Sequence, residues 1–276
     1  MRILRTIAEM KTLRREWQSS LGFVPTMGYL HEGHLSLVRQ SKSENKTTAT
    51  SIFINPAQFA PNEDFKAYPR DAQRDLKMLE GVGNDIVFMP DATEMYPASY
   101  STWVDMEGIT GRLEGAVRPG HFKGVTTVVA KLFNILEPHR AYFGQKDAQQ
   151  ALVIRKMAKD LNMNVDIVVM PTVRETDGLA MSSRNIYLNA EERRSATVLY
   201  RSLIMARELF TGGERDAAKI KDRMLAMIEA EALAWIDYVS IADMETLEEL
   251  TLIDSPALVS LAVRFGKTRL IDNITL

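Results

Sequence analysis

The chain has 276 residues, 46% hydrophobic and 25% charged, enough to bury a full core as one large α/β domain or two smaller ones. A formal net charge of −2 implies no general polyanion-binding surface, and the absence of cysteine excludes a disulfide framework, a thiolate metal site and a thiol nucleophile. The N-terminus is charged and amphipathic without a signal-peptide apolar core, and no apolar run reaches bilayer length, so the expectation is a cytoplasmic protein that partners neither nucleic acid nor membrane.

Residues 6–18 carry Ile7, Met10, Leu13 and Trp17 at helical spacing, which predicts a first helix. Leu21 to Val24 reads as a buried strand, broken by Pro25 and Gly28, after which His34 opens a helix with Leu35, Leu37 and Val38 apolar. Thr47 to Ile54 is a β-rich run stopped by Asn55-Pro56. Tyr68 to Glu80 reads as a helix with Pro69 in its first turn and Leu76 and Leu79 inward, and Asp85 to Met89 as a strand stopped by Pro90. Thr126 to Leu136 is helical in pattern, Ala141 to Phe143 a short strand, Ala148 to Leu161 a helix, and Val165 to Met170 a strand ended by Pro171. This alternation predicts a mostly parallel sheet covered on both faces, with ligands gathered beyond the carboxyl ends of its strands.

After about residue 176 the pattern changes. Helices are predicted over Glu191 to Phe210, capped by Asn189, and over Asp216 to Ala232, with Thr211-Gly212-Gly213 between them. A short helix near Leu247 and strands over Ile236 to Ile241, Ala257 to Val263 and Arg269 to Ile271 complete a small α+β domain.

Several polar clusters carry possible chemistry. His31-Glu32-Gly33-His34 follows a strand and a tight turn at a helix start, where backbone N–H groups and the helix dipole favour an anion. The same tetrapeptide fits a helix start with two solvated histidines. Asn55-Pro56-Ala57-Gln58 offers neutral donors and acceptors suited to hydroxyl and carboxylate groups, or simply a polar turn. Arg118 to Gly124, with two cations and His121, suits either phosphate or carboxylate contact or a solvated loop. Gly144-Gln145-Lys146-Asp147 opens a helix bearing Gln150: Lys146 is a mobile charge for a phosphate, and Asp147 a cap. Finally, Met181-Ser182-Ser183-Arg184 sets two hydroxyls and a guanidinium in one loop.

His-x-Gly-His resembles the first signature of nucleotidyltransferases related to class I aminoacyl-tRNA synthetases, and Met-Ser-Ser-Arg resembles their second, Lys-Met-Ser-Lys-Ser. Together with Pro25 to Leu37, Ser51 to Phe59, Arg118 to Val125, Phe143 to Gln150, Val173 to Asn185 and the closing Arg269 to Asn273, the whole chain resembles the pantothenate synthetase (pantoate–β-alanine ligase) family. Gln145 departs from the glutamate common in other members.

The resemblance implies an α/β fold: a Rossmann-like parallel sheet with helices on both faces, plus a smaller α+β C-terminal domain. Residues 1–176 would bind nucleotide and pantoate, and residues 177–276 would form the smaller, lid-like domain. It implies condensation of (R)-pantoate with β-alanine to pantothenate, with ATP converted to AMP and pyrophosphate through pantoyl adenylate. Met27, Gly28, Tyr29, Leu30, His31, Glu32, Gly33 and His34 would cradle ATP, with His34 as proton donor, His31 beside it and Lys146 neutralising phosphate charge. Gly144, Gln145, Asp147, Val173, Met181, Ser182, Ser183 and Arg184 would complete the ATP site. Gln58 and Gln150 would hold pantoate, and Gln58 would border β-alanine. Mg²⁺ is expected on the phosphates with no protein ligand named, and a homodimer follows from the family habit. A nucleotidyltransferase that keeps the nucleotide on its product is the competing enzyme, but it gives no reason for the Asn-Pro-Ala-Gln and Lys-Asp-Ala-Gln-Gln blocks. A regulatory nucleotide binder without turnover would have no need of His34, Lys146 and Arg184 together.

Overall fold

A computed structural model describes residues 1–17, 19–61 and 63–276, and the chain divides into two units, Met1–Gln145 with Gln149–Pro171, and Lys146–Ala148 with Thr172–Leu276. The first unit runs β1 (Arg2–Leu4), α1 (Ile7–Glu16), β2 (Leu21–Thr26), α2 (Glu32–Glu44), β3 (Thr47–Ile52), α3 (Ala72–Gly81) and β4 (Ile86–Phe88). It continues through α4 (Ala92–Met95), α5 (Glu114–Val117), α6 (His121–Leu136), β5 (Arg140–Gly144), α7 (Ala148–Asp160) and β6 (Asp166–Met170). Its six strands are all parallel, in the order β1-β4-β3-β2-β5-β6.

Two consecutive residues of β2 show why the sheet is layered on both sides. Phe23 and Val24 are both fully buried and point to opposite faces. Phe23 meets Phe133 of α6 edge-on at 6.4 Å, whereas Val24 packs with Leu35 and Val38 of α2. A strand buried on both faces needs apolar residues in succession rather than alternation, as the run Leu21 to Val24 supplies.

The second unit carries α8 (Ala190–Ser195), α9 (Val198–Thr211), α10 (Ala217–Glu229), β7 (Ala234–Asp243), β8 (Ala257–Phe265) and β9 (Thr268–Thr275). The three strands form an antiparallel sheet in sequence order. Val259, Leu261 and Val263 alternate along β8 and pack with Leu203 of α9 and with Ile220 and Met224 of α10.

Local chemistry moved several boundaries. The predicted helix from Tyr68 begins at Ala72, because the Asp71 carboxylate caps the Arg74 N–H at 3.0 Å and leaves Pro69 in the preceding loop. The helix expected over Glu191 to Phe210 is broken at Ala196–Thr197, where Thr197 Oγ1 donates back to the Arg194 carbonyl at 2.7 Å. Near Leu247 there is a turn rather than a helix, closed by Asp243 Oδ1 accepting from the Glu245 and Thr246 N–H groups. The helix expected from Thr126 starts at His121, β3 stops at Ile52, and β1 was too short to leave a periodic signal. Helix α1 ends at Glu16, and position 18, its expected last residue, lies outside the described residues.

Candidate active site

From β2 the chain moves to β3 and β4 on one side, then returns to place β5 on the other, so the strand order reverses between β2 and β5. Parallel sheets leave a crevice at such a reversal, beyond the carboxyl ends of the strands. The segments singled out from sequence leave the sheet there: Met27 to His34 after β2, Asn55 to Gln58 after β3, and Gln145 after β5.

The turn after β2 is tightly specified. Gly28 has φ +85°, a conformation that favours glycine, and a Cβ on it would make a tight 3.0 Å contact with Ile52 Cγ2. Tyr29 follows at φ +48°. The buried Asp75 carboxylate of α3 accepts from the Tyr29 N–H at 2.7 Å and from the Leu30 N–H at 2.8 Å. Burial pushes this carboxyl above its usual range, against the pull of the two N–H groups. The Arg74 guanidinium lies over the Tyr29 ring, 5.0 Å from its centre.

His31, not His34, caps α2. Its Nδ1 accepts from the Gly33 N–H at 3.2 Å, while His34 Nδ1 accepts from the His31 N–H at 3.3 Å. The two rings lie 4.1 Å apart. An Nδ1 that accepts carries no hydrogen, so the proton of each neutral ring sits on Nε2. The two histidines thus form one reciprocal cap whose outer nitrogens are donors. Glu32 pairs with Arg39 on the same helix.

Gln58 ends a 3-10 turn over Pro56–Gln58 that begins at Asn55. Asn55 Nδ2 donates to Gln58 Oε1 and to the Gly124 carbonyl, both at 3.0 Å, and Gln58 Nε2 reaches Met27 Sδ at 3.2 Å. Tyr96 donates its hydroxyl to Asn55 Oδ1 at 2.9 Å. Arg118 and His121 face this turn from α6 and the loop before it. Arg118 pairs with Glu63 at 2.5 Å, and its Nη1 lies 3.1 Å from His121 Nε2, while His121 Nδ1 donates to the Gln58 carbonyl at 2.9 Å. Burial, then the Arg118 charge, lowers the His121 pKa to about 4. Burial works against Glu63 ionisation, but Arg118 outweighs it and holds that carboxyl below its usual range. The Arg118 loop therefore buttresses Gln58, and its carboxylate contact is internal.

After β5, Gln145 to Asp147 form a 3-10 turn continuous with α7, so Asp147 belongs to that turn and lies 3.5 Å from Lys146 Nζ. A Cβ on Gly144 would meet open space, which means the chain's own packing does not require glycine there. Gln149 is committed to structure through the Ile109 and Arg112 carbonyls and the Glu114 N–H, whereas the Gln150 amide forms no hydrogen bond among the described residues.

In the second unit, Asn273 Nδ2 donates to the Lys146 carbonyl at 2.8 Å. Val173 and Met181 face each other across a hairpin, with the Met181 N–H on the Val173 carbonyl at 3.0 Å. Arg174 makes a bidentate pair with the buried Asp272 at 2.6 and 3.0 Å, so this guanidinium is spent on structure. Burial raises the Asp272 carboxyl, with Arg174 opposing it. Ser182 caps a 3-10 turn over Ser183–Tyr187 by accepting from the Arg184 N–H at 3.3 Å, which puts Arg184 in the first turn.

Sequence reasoning passed over Asp75 and Tyr96. Asp75 did leave a signal, an acidic residue four positions before the inward Leu79 and so on the apolar stripe of its helix. Tyr96 left none, since its partner Asn55 is 41 residues away.

The chain matches the Pantoate-beta-alanine ligase family over residues 2–275. It is 58% identical over 277 residues to a pantothenate synthetase of Herpetosiphon aurantiacus, covering all of both chains. A crystal structure of pantothenate synthetase from Thermus thermophilus superposes with TM-score 0.96 at 47% identity, covering 99% of each chain. The pantoate-beta-alanine ligase of Francisella tularensis, complexed with beta-gamma ATP and beta-alanine, superposes with TM-score 0.80 at 34% identity, covering 99% of this chain and 97% of that one.

Proposed function

The chain belongs to the pantoate–β-alanine ligase family, and we propose from this that it condenses (R)-pantoate with β-alanine to pantothenate while ATP becomes AMP and pyrophosphate. The observation that carries the reading is the family match over residues 2–275, in a chain whose candidate segments leave the sheet where its strand order reverses. A nucleotidyltransferase that keeps the nucleotide on its product is not favoured by these relatives.

The chemistry is two displacements. An oxygen of pantoate's carboxylate attacks the α-phosphorus of ATP, the bond to the bridging oxygen breaks, and pyrophosphate leaves. The amine of β-alanine then attacks the acyl carbon of pantoyl adenylate, loses a proton and expels AMP. Neither step needs a protein nucleophile, so catalysis rests on positioning and on stabilising phosphate charge. His34 Nε2–H, with His31 beside it, would donate to a phosphate oxygen, and the reciprocal Nδ1 cap supports that role by fixing the proton on Nε2. Lys146 would neutralise charge on the leaving pyrophosphate, aided by Arg184. Met27 to Gly33, Gly144, Gln145, Asp147, Val173, Met181, Ser182 and Ser183 complete the proposed ATP set. The open space at Gly144 supports a ligand lying against that backbone. Gln58 and Gln150 would hold pantoate, supported for Gln150 by an amide that forms no hydrogen bond among the described residues.

Mg²⁺ belongs to the proposal as part of the nucleotide substrate. It would be held largely by ATP oxygens and water, with no protein ligand assigned to it. No helix among the described residues is long and apolar enough to cross a membrane. A cytoplasmic setting and a homodimer complete the proposal.

Isotope exchange tests it. Labelled pyrophosphate should enter ATP when pantoate is present and β-alanine absent. Exchange that needs no pantoate, or no exchange at all, would remove the adenylate step.

A further inference from the structure

We infer that Tyr96 is a positioning residue for pantoate: through Asn55 it holds the Gln58 amide with Nε2–H, not Oε1, presented to the substrate. The inference rests on the proposed binding of pantoate by Gln58.

The orientation of both amides follows from fixed neighbours. The Ala57 N–H can only donate, and it lies 3.3 Å from one end of the Asn55 amide, which must be oxygen. The Gly124 carbonyl can only accept, and it lies 3.0 Å from the other end, which must be nitrogen. That nitrogen also meets Gln58 at 3.0 Å, so the Gln58 atom there is Oε1. Nε2 is then the end directed at Met27, where the turn toward His31 and His34 begins.

Tyr96 supplies the shorter of the two donors to Asn55 Oδ1, at 2.9 Å against 3.3 Å. Its ring stacks on Trp103 and meets Tyr100 edge-on, with Lys131 Nζ 5.5 Å from its centre. Burial raises the Tyr96 pKa, so the phenol keeps its proton and remains a donor. The main chain at Gln58 has little freedom of its own. His121 holds its carbonyl, and a Cβ on Gly124 would fall 2.2 Å from the Ala57 oxygen, so α6 lies directly against the turn. What remains is rotation of the Gln58 amide, and Asn55 removes it.

The substrate atom facing Gln58 Nε2 is therefore an acceptor, a carboxylate oxygen or a hydroxyl lone pair. A donor such as the ammonium of β-alanine finds no acceptor at that atom, so only the carboxylate end of β-alanine could approach it.

The test is a double-mutant cycle on pantoate kinetics, with ATP varied separately and thermal midpoints measured alongside. Tyr96→Phe deletes one hydroxyl and should raise KM for pantoate by about three- to tenfold, as for one lost hydrogen bond, with KM for ATP unchanged. In a Gln58→Ala background the same substitution should change KM for pantoate by less than about twofold, because its effect passes through the missing amide. Additive effects would overturn the relay while leaving Gln58 on pantoate. Equal rises in both Michaelis constants, or a lowered midpoint with pantoate KM unchanged, would make Tyr96 merely structural and overturn it too. If Gln58→Ala leaves pantoate KM unchanged, the underlying reading fails and the inference goes with it.

Discussion

At the scale of single residues, the proposed chemistry is concentrated in a few charged and polar groups. Lys146→Ala and His34→Ala should each slow adenylate formation by about two to three orders of magnitude, the range for one preorganised electrostatic contact. Amide formation from supplied pantoyl adenylate should slow less, and single-turnover measurement of each half-reaction checks this; equal slowing of both would assign the residues to shared positioning. Gln150→Ala should raise KM for pantoate by roughly tenfold, since it strands a substrate group in the pocket. His121 yields a pH prediction. Its pKa falls from 6.5 to about 4 on folding, so between those values the unfolded chain holds a proton that the folded chain lacks. Stability from this group is complete above pH 6.5 and lost as pH falls toward 4, on the order of 3 kcal/mol in all. Denaturant titrations of His121→Gln, which keeps a donor for the Gln58 carbonyl but does not titrate, should show a shallower loss over that window than the unmodified chain.

At the scale of elements, two buried carboxylates join segments distant in sequence. Asp75 ties α3 to the turn between β2 and α2 through two backbone N–H groups. Asp75→Asn turns one acceptor into a donor aimed at an N–H, so it should destabilise by about 1–3 kcal/mol and raise KM for ATP. A stability loss with ATP kinetics intact would show that the turn keeps its shape without the clamp. Arg174 ties the hairpin before Ser182 to β9 through Asp272. Removing one partner of a buried pair leaves the other charge uncompensated, so Arg174→Ala should cost about 3–5 kcal/mol in a denaturant titration. By contrast, Lys219 lies 3.9 Å from Asp216 with both side chains exposed, and its loss should pass almost unnoticed in the same titration.

At the scale of the whole molecule, the residues proposed for ATP include Met27 to His34 of the first unit and Met181 to Arg184 of the second. Hydrogen exchange measured with and without ATP should show protection in both stretches. Protection confined to the first would remove Met181 to Arg184 from the ATP set. The proposed homodimer calls for sedimentation equilibrium, where a mass near 31.1 kDa at all concentrations would reject it.

The sequence by itself determined the alternating strands and helices of the first unit, the consecutive strands of the second, and the polar segments at the strand exits. These features are local: apolar runs, proline stops, caps and glycine turns act within a few residues and leave a pattern there. Gly28 and the His31/His34 pair were legible for that reason. Boundaries slipped where a side chain competed with the backbone, as Asp71 did at the start of α3 and Thr197 did between α8 and α9. Only the tertiary structure decided that Asp75 holds the turn, that Arg118 serves Glu63 and His121, and that Tyr96 and Asn55 set the polarity of Gln58. The contacts of Asp75 with Tyr29 and Leu30, of Arg118 with Glu63 and of Tyr96 with Asn55 each span many residues of chain, and a hydrogen bond between distant residues imposes no periodicity on either stretch. The polar groups of the site are named by their neighbourhood in sequence, but which end of an amide faces the substrate is fixed by donors and acceptors that only folding brings together.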